Sequence, residues 1–127
     1  MNMISNKTFV VADDNNIIRN GLSFFIKNTY DSVVVHEAAT FLDLILLVEK
    51  EKIDLIVLDI NFPDGVSLGI IPTVKKIQPE IKILIFSALE ESSQSLPYFE
   101  AGANGYLNKA ATGSDIEQAI ILALKRA

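Results

Sequence analysis

A chain of 127 residues that is 50% hydrophobic and 21% charged has the size and proportions of one ordinary globular domain. No cysteine means no disulfide, thiolate zinc site, iron-sulfur cluster or cysteine nucleophile, and a single histidine excludes a multi-histidine metal centre within one chain. With 11 Lys+Arg against 16 Asp+Glu and a net charge of -5, the domain is not built to grip phosphate backbones, so no direct nucleic-acid contact is expected.

In chain order, the start Met1-Asn2-Met3-Ile4-Ser5-Asn6-Lys7 lacks a charged-then-apolar secretory pattern. The longest apolar stretches, Leu44 to Val48 and Ala119 to Leu124, fall far short of a membrane span, so a cytoplasmic protein without a membrane partner is expected. Short β-branched runs predict strands at Phe9 to Ala12, Val33 to Val35, Leu55 to Leu58, Ile81 to Phe86 and Gly105 to Leu107. Between and after them, helical lengths fall at about Asn16 to Asn28, Phe41 to Glu51, Leu68 to Ile77, a segment ending near Ala101, and Asp115 to Arg126.

Strands apolar on both faces and separated by helices pair in parallel through right-handed crossovers. The expected fold class is therefore α/β, a doubly wound five-stranded parallel sheet. Thr40 is placed to cap the second helix, and Ser114 with Glu117 has capping-box spacing at the fifth. Pro72 predicts a kink or a late start in the third helix. Pro97 predicts a fourth helix beginning near Ser95 or Leu96, with Glu90 to Gln94 as a polar loop before it.

Ligands of open α/β sheets bind beyond the carboxyl ends of the strands. Asp13 and Asp14 follow the first predicted strand and Asp59 closes Leu55-Ile56-Val57-Leu58-Asp59, so three carboxylates from distant sequence converge. Either Asp of the pair could simply cap or solvate a loop. Clustered like charges persist chiefly where a hard cation offsets them, and magnesium suits this donor set, with the backbone carbonyl of Asn61 as a further oxygen. Ser87 ends Ile83-Leu84-Ile85-Phe86 and Lys109 follows Gly105-Tyr106-Leu107-Asn108, adding a hydroxyl and an ammonium suited to an anion on Asp59.

These residues resemble the receiver domains of bacterial two-component response regulators. Val10-Val11-Ala12-Asp13-Asp14, Leu58-Asp59-Ile60-Asn61-Phe62-Pro63-Asp64-Gly65, Phe86-Ser87-Ala88 and Ala101-Gly102-Ala103-Asn104-Gly105-Tyr106-Leu107-Asn108-Lys109 follow the family's order and spacing across nearly the whole chain. The resemblance implies a flavodoxin-like (βα)5 receiver fold with strand order 2-1-3-4-5, and residues 1–127 as a single receiver domain. It also implies Asp59 as phosphoacceptor, Asp13, Asp14, Asp59 and the Asn61 carbonyl around magnesium, Lys109 on the phosphoryl group, Ser87 as switch hydroxyl and Tyr106 as switch aromatic.

A sensor histidine kinase would be the donor. The domain would act as a signalling phosphoacceptor rather than an enzyme, with at most slow self-phosphorylation and self-dephosphorylation. On phosphorylation, Ser87 would move toward the phosphoryl group and Tyr106 would turn into the vacated space, altering the fourth helix and fifth strand.

The ending resembles receivers that precede helix-turn-helix domains, so transcriptional output through a DNA-binding domain absent from this chain is expected. The chain stops at Leu124-Lys125-Arg126-Ala127, where a linker would begin, which fits an excised or a stand-alone receiver. A homodimer is expected, through the first and fifth helices or through the fourth helix and fifth strand. Ala110 replaces the proline frequent after the lysine, Ser67 replaces a frequent glycine, and Leu89 is apolar at a position that influences acyl-phosphate hydrolysis. His36 reads as a structural or surface residue.

Two other classes compete. A magnesium-dependent aspartyl-phosphate phosphohydrolase would carry its nucleophile after the first strand in Asp-x-Asp spacing, which Asp13-Asp14 lacks. A phosphorylation-independent interaction module would dispense with magnesium altogether.

Overall fold

The computed structural model describes residues 5–88 and 91–125, without the side chains of residues 91–94. Its elements are β1 (Thr8–Ala12), α1 (Asn16–Thr29), β2 (Val34–Ala38), α2 (Phe41–Lys50), β3 (Leu55–Asp59), β4 (Asn61–Phe62), β5 (Gly65–Val66), α3 (Ser67–Ile77), β6 (Lys82–Ser87), α4 (Glu91–Ala101), β7 (Gly105–Asn108) and α5 (Gly113–Lys125). Five strands form one parallel sheet in the order β2-β1-β3-β6-β7. Counting those five alone, this is the expected 2-1-3-4-5. No helix among the described residues is long and apolar enough to cross a membrane.

Alternation along each strand sends successive side chains to opposite faces. On one face Val10, Ile56 and Ile83 form a row across the sheet, and Ala12, Leu58, Ile85 and Tyr106 form the next. These pack with Leu44, Val48, Ile71, Val74 and Tyr98 of α2, α3 and α4. On the other face Phe9, Val11, Leu55, Val57, Leu84, Phe86 and Leu107 pack with Ile26 of α1 and Ile120 and Ala123 of α5. Both faces are apolar because both are covered, the condition under which parallel sheets are stable.

Several local expectations shift. β2 runs Val34–Ala38 rather than Val33 to Val35, because an edge strand with one open side tolerates His36 and Glu37, and the ladder continues through Val11 with Glu37 and Ala12 with Ala38. His36 thus sits mid-strand opposite Val10, away from the carboxyl edge. At α5 the capping box is Thr112 with Asp115, each backbone N–H donating to the other's side chain at 3.2 Å, two residues earlier than the expected Ser114 and Glu117.

Thr40 caps α2 as expected, accepting from Asp43 N at 3.1 Å. α3 starts at Ser67 and runs through Pro72, held by buried Ile70, Ile71 and Val74. α4 starts at Glu91 and contains Pro97, so residues 91–94 are helical rather than a loop. One missing backbone donor is absorbed there because Tyr98, Phe99 and Ala101 dock on the sheet. Glu90, Leu89 and Arg126 lie outside the described residues.

The β4–β5 hairpin is an addition that two-residue strands could not announce by periodicity. It leans on α2: Asp64 accepts from Phe41 N at 3.0 Å, and the Phe41 and Phe62 rings lie 4.6 Å apart. Gly65 makes this approach possible: its φ is +151°, and a Cβ there would lie only 2.9 Å from the Phe41 ring.

Candidate functional site

The parallel ladder ends Ala12, Asp59, Ser87 and Asn108 at one edge of the sheet, and the side chains just beyond these ends make the site. Asp13, Asp14 and Asp59 bring carboxylate oxygens within 4.8 Å of one another, as the sequence predicts. Asp13 is 1% exposed and Asp59 8%, whereas Asp14 is exposed. Lys109 Nζ lies 3.0 Å from both Asp13 Oδ2 and Asp59 Oδ1, and 5.6 Å from the centre of the Phe86 ring.

Backbone geometry aims these groups. Asp13 N donates to Ala38 O at 3.0 Å, and Asp13 Oδ1 accepts from Asn15 N at 2.9 Å, while Asn15 itself caps α1 through Ile17 N and Ile18 N. Asp59 Oδ1 also accepts from Ile60 N at 2.8 Å. The Ser67 hydroxyl donates to Asp59 O, and Ser67 N donates to Ile60 O at 2.8 Å, so the serine that stands in place of a frequent glycine ties the loop down. Lys109 N donates to Ser87 O at 2.7 Å, fixing the lysine against the end of β6. The peptide bonds among the described residues are trans, Lys109 to Ala110 included.

Burial pushes the Asp59 carboxyl up, and neighbouring Asp13 adds to the effect, against the opposing Lys109 ammonium and Ile60 N–H. Burial also works against the Lys109 charge, but the Asp59 and Asp13 carboxylates beside it outweigh that and raise the lysine above its ordinary value. The lysine is therefore a fixed cation. Asp13 Oδ2, though beside that ammonium, accepts no well-angled hydrogen bond. An all-oxygen donor set with one such buried, under-used oxygen fits a small hard cation of the magnesium type. Asn61 is exposed, opens β4 and stands two residues past Asp59.

Ser87 is buried, and Tyr106 is only 8% exposed, its ring 6.5 Å from that of Tyr98. Tyr106 is thus packed against α4 in this structure. Three contributors to the site escaped the sequence reading. Arg19 donates to Asp13 O, Asp64 docks the hairpin on α2, and Asn15 caps α1; only Asn15, a cap residue just before an apolar run, carried a local signal.

Comparison with known proteins identifies the family. Residues 9–121 match the response regulator receiver domain family. A transcriptional regulatory protein of Bacillus subtilis, YhcZ, is 32% identical over 97 residues, which is 76% of this chain and 45% of that protein. A two-component response regulator of the LuxR family from Aurantimonas sp. is 31% identical with a TM-score of 0.82, covering 94% of this chain and 87% of that one. A response regulator from Burkholderia pseudomallei, solved with a phosphorylated aspartic acid, a calcium ion and citrate, is 25% identical with a TM-score of 0.79, covering 89% of this chain and 65% of that one. The chain spans about half the length of the curated relatives it matches. Five parallel strands in this order, with clustered acids facing a lysine at their carboxyl edge and a family match across most of the sequence, make this chain a member of the response regulator receiver family.

Proposed function

We propose that this receiver takes a phosphoryl group onto Asp59 from the phosphohistidine of a sensor histidine kinase, in a magnesium-dependent step, and passes the signal on as a changed protein surface. The observation that carries this reading is Lys109 Nζ at 3.0 Å from both Asp59 and Asp13 within the three-carboxylate cluster. An ionised Asp59 oxygen attacks phosphorus; the new P–O bond forms as the donor's P–N bond breaks, and the imidazole keeps the bonding pair. Lys109 stabilises the negative charge carried over with the phosphoryl oxygens. Asp13, Asp14, Asp59 and the Asn61 carbonyl would hold magnesium, which when bound supplies further charge neutralisation at those oxygens.

Phosphorylation gives Ser87 a new acceptor at the end of β6. Tyr106, packed against Tyr98 of α4, carries that change to the α4 and β7 surface. The domain acts as a phosphoacceptor rather than as an enzyme of turnover, in the cytoplasm. Its surface then engages a second copy or a partner domain. The similarity to YhcZ and to the LuxR-family regulator supports transcriptional output through a DNA-binding domain outside these 127 residues.

Intact-protein mass spectrometry after incubation with magnesium and a small acyl-phosphate donor tests the reading. A single phosphoryl adduct is expected in wild type and not in Asp59→Asn, nor without magnesium. No adduct even in early-quenched samples would overturn it in favour of an interaction module. Steady turnover of a simple phosphate ester would point to a hydrolase.

A further inference from the structure

All three nitrogens of one guanidinium are engaged beside the acidic pair, one of them on Asp13 itself. Arg19 Nη1 donates to the main-chain carbonyl of Asp13 at 2.8 Å, Nη2 to Asn16 Oδ1 at 2.6 Å, and Nε to Glu37 Oε1 at 2.9 Å. The Arg19 side chain is 13% exposed, so this is not a loosely solvated surface arginine. The three acceptors come from the β1–α1 turn, the first turn of α1 and the end of β2. A planar fork of this kind fixes geometry in a way that an ammonium cannot.

What it fixes is specific. The carbonyl of Asp13 belongs to the peptide unit joining Asp13 to Asp14, so its direction sets how the two carboxylates face each other. The remaining handles of Asp13 are taken: N–H by Ala38 O, and Oδ1 by Asn15 N. Oδ2 is left facing Lys109 without a well-angled hydrogen bond. Freed from Arg19, the 13–14 peptide could turn and carry exposed Asp14 out of the cluster, since none of the other contacts of Asp13 holds that carbonyl.

We propose that Arg19, oriented by Glu37, is a positioning residue that presets the Asp13–Asp14 pair for a divalent cation. The inference rests on the reading of this cluster as a magnesium site, and deepens it by assigning the affinity of that site partly to residues outside the ligand set. Partners one shell removed from the ligands typically govern 10- to 100-fold in metal affinity. Arg19→Lys keeps the charge and loses the fork; Glu37→Gln keeps the acceptor oxygen and loses the charge that steers the arginine.

The test is a magnesium titration of the full, unphosphorylated chain, followed by the amide NMR shifts of residues 13–15, with thermal melts of every variant. Arg19→Lys is expected to weaken magnesium binding about 10-fold, and Glu37→Gln about 3-fold. Gln78→Ala, at the opposite edge of the sheet, is expected to lower the melting temperature without moving the affinity. Binding by Arg19→Lys within twofold of wild type would overturn the inference. So would an affinity that merely follows melting temperature across the three variants. Failure of the wild-type chain itself to bind magnesium would instead overturn the metal reading on which the inference stands.

Discussion

The two edges of the sheet treat their buried and half-buried polar groups in opposite ways. At the amino edge they pair chiefly with main chain. Gln78 accepts from Ile53 N at 3.0 Å and donates to Val48 O at 2.7 Å and Glu51 O at 2.6 Å, closing the end of α2 over the approach to β3. Asp54 accepts from Thr8 N at 2.8 Å, and Lys75 donates to Ile81 O and to Asn104. At the carboxyl edge like charges face one another, one buried oxygen is under-used, and a lysine does the neutralising. One edge is arranged for stability, whereas the other gathers three carboxylates around a single nearby ammonium. Stability withheld at a site in this manner is the usual counterpart of function.

The largest test of this contrast is Gln78→Ala. Three hydrogen bonds disappear at once and leave the half-buried backbone groups of Ile53, Val48 and Glu51 without that partner. A buried group stranded in this way costs about 1–3 kcal/mol, so a net loss of about 3 kcal/mol in unfolding free energy is expected. Urea denaturation at neutral pH measures it. A loss below about 1 kcal/mol would place the amino edge among ordinary surface contacts.

Asp59→Asn probes the other edge and has the opposite sign. Burial raises the Asp59 carboxyl above its ordinary value, so the folded state holds that proton more tightly than the unfolded chain does. The favourable contribution is therefore present at acid pH and is lost as pH rises through the raised value, leaving the ionised group a burden at neutrality. Asparagine keeps an oxygen for Ile60 N–H and for Lys109 and sheds the charge. Without metal at pH 7, Asp59→Asn should be more stable than wild type by about 1 kcal/mol, with the gap closing in acid. Urea curves in chelator at neutral and acidic pH decide; a less stable variant at pH 7 would mean that the lysine pairing outweighs burial.

The same contrast explains what the sequence could and could not disclose. Strand runs such as Leu55 to Leu58 are local and apolar on both faces, so the fold order is legible from them. Asp13, Asp14, Asp59, Ser87 and Lys109 are legible because each follows or ends a strand, and a parallel sheet gathers such ends at one edge. The braces are not. Arg19 reaches Glu37 across 18 residues and Asp64 reaches Phe41 across 23, and neither pairing leaves a periodic trace. Pro97 misleads for a related reason: its local preference is overridden by docking of Tyr98 and Phe99 on the sheet.

The smallest expected effect concerns the exception at the amino edge. Tyr30 is 5% exposed, stands edge-on to Phe9 at 6.2 Å, and its hydroxyl has no hydrogen-bond partner among the described residues. Burial, with the charge of Glu117 in support, pushes the phenol up to about 12. Since the folded state binds this proton more tightly than the unfolded state does, the associated stability is complete below pH 10 and is lost between pH 10 and 12. Tyr30→Phe removes an unpaired polar atom and preserves the ring contact, so at pH 7 its stability should stay within about 0.5 kcal/mol of wild type. Above pH 10 the variant should lose less stability than wild type, which urea midpoints across the interval from pH 10 to 12 measure directly. Parallel alkaline losses in both proteins would assign the effect to other groups, and a marked loss at pH 7 would mean that the hydroxyl has a partner after all.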